Sequence, residues 1–91
     1  MNNHAKRTLE ETLITGNDVF ERVATCIGLD AMTSRRLLAE VIKPIGSAPL
    51  RVTIEEVGAL LPEIERRVRL LVRDEIADHT VRRLRRLLLT W

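Results

Sequence analysis

The chain has 91 residues, 45% of them hydrophobic and 31% charged, with a formal net charge of only +2. That balance excludes a disordered polyelectrolyte, and the length fits a single domain with a modest core. Phe20 and Trp91 are the only aromatic side chains and Cys26 is the only cysteine, so aliphatic residues must fill the core, no internal disulfide can form, and a reducing cytoplasm is the expected setting.

The elements read in order as helices with short punctuation. Residues 5–15 predict a weak first helix, with Leu9 and Leu13 four apart and Gly16 as its stop. Asp18 is the expected cap of the next helix, and Glu21 three residues on completes a capping-box pattern. Phe20, Val23, Ala24 and Ile27 give that helix a core face, and Gly28 ends it. Asp30 is the expected cap of a helix over 31–43, whose apolar stripe is Leu37, Leu38, Val41 and Ile42; Pro44 disfavours helical geometry at Lys43 and stops the run. Ile45 to Val52, with Gly46, Ser47 and Pro49, reads as a loop. Leu50, Val52 and Ile54 alternate, which allows a very short strand that could not stand alone.

Thr53 with Glu56 forms a second capping box and starts a further helix whose inward residues are Val57, Leu60 and Leu61. Pro62 either opens a fifth helix or sits inside a longer one. Ile64, Val68, Leu71, Val72 and Ile76 continue at helical spacing, and Val81, Leu84, Leu88 and Trp91 restart the stripe after Asp78, His79 and Thr80. The span 63–90 is then one helix of about 40 Å, or two helices broken near Asp78. The expected fold is all-α: a small bundle of four to five helices in one domain over 1–91, with a long C-terminal helix.

Residues for metal or catalytic chemistry are not grouped. His4, Cys26 and His79 are scattered, without the tight spacing a zinc site needs. Cys26 has no neighbouring base and reads as an inert core thiol. The acid pairs Glu10–Glu11, Glu55–Glu56 and Asp74–Glu75 are explained by helix starts and by i,i+4 pairing. No enzymatic activity, catalytic residue, metal, cofactor or small-molecule substrate is expected. Met1 to Arg7 is polar and no apolar run approaches about 18 residues, so a signal peptide and a membrane span are not expected either.

Two segments carry functional signals. In residues 20–40, Ala24 is small, Gly28 follows four residues later, Val23, Ile27 and Leu29 flank them, and Leu37 is apolar on the next helix. This arrangement resembles a helix-turn-helix DNA-binding motif over 18–43. The resemblance implies that the helix from residue 31 enters the major groove, with Arg35 and Arg36 on base edges or phosphates and Thr33 and Ser34 on backbone oxygens. The second signal is Thr80–Trp91, where Arg82, Arg83, Arg85 and Arg86 stand against Val81, Leu84, Leu87, Leu88 and Trp91. That segment reads first as a surface for docking on another subunit, because 63–91 carries more apolar surface than so short a chain is expected to cover; packing back on its own domain is the next reading, and lying on an anionic membrane or tracking a phosphate backbone are the others. The expected function is a non-enzymatic helical interaction or oligomerisation module, acting as subunit or adaptor, whose partner is another protein or a second copy. The alternative is a small DNA-binding regulator that dimerises through 63–91.

Overall fold

The structure, a computed structural model, describes residues 14–91. Four α-helices make up the described chain: α1 (Asp18–Ile27), α2 (Ala31–Ile42), α3 (Ile54–Leu71) and α4 (Asp74–Thr90), with a 3-10 turn at Lys43–Ile45 after α2. The all-α bundle expected from the periodicity is present, and no strand forms at Leu50–Ile54 or elsewhere among the described residues. The helix expected over 5–15 lies outside the described residues except for Ile14 and Thr15, which are not helical.

Caps set most of the helix boundaries. The N-cap of α1 is Asn17 rather than Asp18: its side chain accepts from the Phe20 N–H, and Asp18 is the first helical residue. Asn17 takes the position because it also works outward, donating from Nδ2 to the Val52 carbonyl while its own N–H donates to Pro49 O. Asp30 caps α2 through the Thr33 N–H. Thr53 and Glu56 form the complete capping box of α3, with both reciprocal bonds. Lys43 keeps helical dihedrals despite the following proline. The chain tightens there into the 3-10 turn and leaves it at Gly46, with φ of +82°.

The C-terminal half departs from the expectation of one 40 Å helix. Residues 54–71 form a single α3 that runs through Pro62, and an extended pair, Val72 and Arg73, separates it from α4. Pro62 lacks the donor for the carbonyl four residues back, Gly58, but both residues are exposed, so water meets that carbonyl. No break occurs near Asp78. Thr80 is buried inside α4, and Asp78 is hydrogen-bonded to Arg69 across the α3–α4 turn. Asp74 and Glu75 occupy the first turn of α4, where carboxylates oppose the positive end of the helix dipole.

Each helix packs on two others in cyclic order: α1 on α2 and α4, and α3 on α2 and α4. The core joins Phe20, Val23 and Ile27 of α1 to Leu38 and Ile42 of α2, Val57, Ile64 and Val68 of α3, and Ala77 and Leu84 of α4. Folding α3 and α4 into a hairpin turns Ile64, Val68, Ala77, Val81 and Leu84 inward. Of the stripe expected to project from 64–91, Ile64, Val68, Val81 and Leu84 are buried and Val72 and Leu88 half-buried, whereas Leu71, Ile76 and Trp91 remain exposed. A consequence of the ring is that α2 and α4 stand diagonally across the bundle and present their outer faces to opposite sides.

Candidate interaction surfaces

Residues 18–43 form two packed helices, α1 and α2, joined by a short turn at Gly28. α1 and α2 pack together with Ala24 buried near the turn. Gly28 turns the chain with φ of +76°, a conformation that a side chain disfavours. Three of the four residues assigned to DNA, Thr33, Ser34 and Arg35, have other duties in this packing. Ser34 is buried, and its Oγ accepts the Leu29 N–H at 3.0 Å, which satisfies a turn amide that would otherwise lie unpaired. Thr33 Oγ1 donates to the Asp30 carboxylate. Arg35 faces back across α1: it forms a two-pronged pair with Glu21, at 2.5 and 2.7 Å, and donates to Ile14 O at 2.8 Å. That pair, together with the Gly16 N–H, holds the Glu21 carboxyl below its usual range. Arg36 alone of the four is exposed, and it makes no ion pair with any described residue.

The C-terminal surface is likewise redistributed. Val81 and Leu84 are buried, Leu87 and Leu88 half-buried, and Trp91 exposed. Trp91 lies under the Arg22 guanidinium, 5.0 Å from its ring centre, which pins the end of α4 onto α1. Arg83 closes the C-terminus of α1: Nε donates to Cys26 O at 3.1 Å, and Nη2 donates to Ile27 O at 3.4 Å and Thr80 Oγ1 at 3.2 Å. These bonds satisfy carbonyls that a helix end leaves open. Arg82, Arg85 and Arg86 point outward. Cys26 is half-buried beside Arg22 and Leu87.

A surface that the sequence reading missed lies between α2 and the end of α3. A groove of about 350 Å³ is floored by Met32, Leu37, Leu70 and Leu71 and edged by Asp30, Arg36, Glu40 and Arg67. Leu70 is 74% exposed and Leu71 56%, high values for leucines in consecutive positions. Arg67 is tied to Glu40 at 3.1 Å and to Glu63 at 3.1 Å, so one wall of the groove is braced. Periodicity put Leu71 on the inward stripe with Ile64 and Val68, and only Leu70, about 100° away on the same helix, was off it; the exposure of Leu71 follows from α3 ending at that residue.

Among the described residues, no group of three or more His, Cys, Asp or Glu side chains is placed to hold a metal ion, and no helix is long and apolar enough to cross a membrane. No family model, curated protein or solved structure matches the chain. The class is thus defined by its architecture: a small all-α bundle, of four helices among the described residues, with an open apolar groove between α2 and α3 and an arginine face on α4.

Proposed function

We propose that the protein is a helical interaction module that self-associates through the α2–α3 groove. The observation that carries this reading is the exposure of Leu70 and Leu71 beside a groove floored by Met32 and Leu37. Adjacent exposed leucines on a groove mark a surface meant to be covered. The rim favours a second copy as the cover. Asp30 and Glu40 balance Arg36 and Arg67 on the rim, so a two-fold contact that sets Arg36 of one copy against Asp30 or Glu40 of the other pairs opposite charges twice.

The DNA-binding alternative has less to support it, because few of the side chains assigned to DNA are left to read bases with. Ser34 and Arg35 are committed to holding α1 and α2 together, Thr33 is bonded to the cap, and Arg36 alone of the four faces outward with no ion pair to a described residue. The test is oligomeric mass by light scattering at tens of micromolar. The wild-type chain is expected above monomer mass, and the double variant Leu70→Glu, Leu71→Glu is expected to be a folded monomer, since both side chains already face solvent. A wild-type monomer, or a double variant that associates as well as the wild type, overturns the proposal.

A further inference from the structure

The arginine face of α4 lies across the bundle from the groove, and it has a different character. Arg82, Arg85 and Arg86 are all exposed, and none forms an ion pair with a described residue. At i, i+3 and i+4 they share one face of the helix, and the three guanidinium stems rise over about 6 Å along its axis. No acid occurs from residue 79 to the end of the chain. The acids that could neutralise them lie further toward the N-terminus. Asp78 senses Arg82, yet its hydrogen bond and its largest influence come from Arg69. On neighbouring α1, Glu21 is fully engaged by Arg35 and the Gly16 amide.

From this arrangement we propose that the outer face of α4 is a binding surface for the phosphate backbone of nucleic acid, engaged by Arg82, Arg85 and Arg86 without base readout. The choice of arginine fits the ligand: a planar fork of donors matches phosphate oxygens in pairs. A protein partner fits less well, because the face offers Leu89 as its one large apolar side chain and therefore no pocketed anchor. A membrane fits less well too, because the apolar side of α4 is spent on the core through Ala77, Val81 and Leu84, which leaves little to insert below the arginines. Arg83, though exposed, is held by its bonds to the end of α1 and is not counted in the proposed surface. The site is distinct from the helix-turn-helix reading, since α2 faces the opposite side of the bundle.

Fluorescence anisotropy with a labelled duplex of arbitrary sequence tests the proposal on the full chain. Binding is expected at ~50 mM salt and is expected to weaken roughly 40-fold by ~200 mM, the dependence for about three phosphates neutralised. A second duplex of unrelated sequence should bind equally. The variant Arg82→Gln, Arg85→Gln, Arg86→Gln should lose binding by an order of magnitude or more with an unchanged circular dichroism spectrum, whereas Arg36→Gln should bind as wild type. If the triple variant does not fold, Arg86→Glu alone, on an exposed turn near the helix end, should still lower affinity. Absence of binding at ~50 mM salt, retention of binding in the folded triple variant, loss of binding on Arg36→Gln alone, or capture by phosphatidylserine vesicles without capture by DNA each overturns the proposal.

Discussion

Two pairs of adjacent arginines, Arg35-Arg36 on α2 and Arg82-Arg83 on α4, look alike in sequence and are split the same way by the fold. In each pair one member is structural. Arg35 clamps Glu21 and the Ile14 carbonyl, and Arg83 caps α1 at Cys26 and Ile27. The other member, Arg36 or Arg82, faces out. The pairs differ in what surrounds the outward cation. Arg36 sits on the rim of an apolar groove that also carries Asp30 and Glu40, whereas Arg82 continues into Arg85 and Arg86 with no acid beyond it. The lesson is that an arginine-rich stretch is not a surface until the fold has taken its share. What is left is a mixed rim on one side of the bundle and a cationic strip on the other.

Substitutions can break this comparison or sharpen it. The largest effect is expected at Gly28, where the two regions meet: an added Cβ would sit 2.6 Å from the Arg83 guanidinium on a backbone with φ of +76°. Gly28→Ala should cost about 2 kcal/mol in chemical denaturation, part from the left-handed backbone and part from displacing the cap. Arg35→Ala should follow at about 1–2 kcal/mol, because it opens a charge-assisted pair that is partly screened by solvent. It should also reshape the acid limb of stability. Glu21 is held below its ordinary value by Arg35, and Glu63 is lowered from 4.5 to about 2 by Arg66 and Arg67. A carboxyl with a depressed folded value gives stability that is present above its unfolded value and is lost as pH falls through the folded one. Stability of the wild type should therefore fall from about pH 4.5 towards about pH 2, and Arg35→Ala should fall less over that window. Arg83→Ala should cost about 1 kcal/mol for its exposed hydrogen bonds. Arg36→Ala and Arg86→Ala should stay within about 0.5 kcal/mol. A cost at Arg86 as large as that at Arg83 would erase the distinction between inward and outward members.

Much of the fold was legible in the chain. The capping box at Thr53 and Glu56, the Asp30 cap and the stop at Gly28 are local chemistry, and they appear where the residues put them. Asn17 took the cap expected of Asp18 because Val52 and Pro49, distant in sequence, offered its backbone and amide further partners. The break at Val72–Arg73 had a trace that periodicity alone obscured. The stripe of Ile64, Val68 and Val72 points on to Ile76, yet Ile76 is 45% exposed while Ala77 is fully buried. That phase shift, with acids at Asp74 and Glu75, marks a new helix start. The surfaces were the least legible part. Residue type showed where arginines and leucines are, but whether Val81 and Leu84 face a partner or the core depends on α4 folding back, and the role of Arg35 depends on a carboxylate 14 positions away.

The most direct test of the interaction reading is a dilution series followed by backbone amide NMR. If two copies meet at the groove, the resonances of Met32, Arg36, Leu70 and Leu71 shift together with protein concentration, while those of Arg82, Arg85 and Arg86 hold still. Resonances in the groove that stay fixed across the series, or shifts that gather on α4 instead, contradict the account.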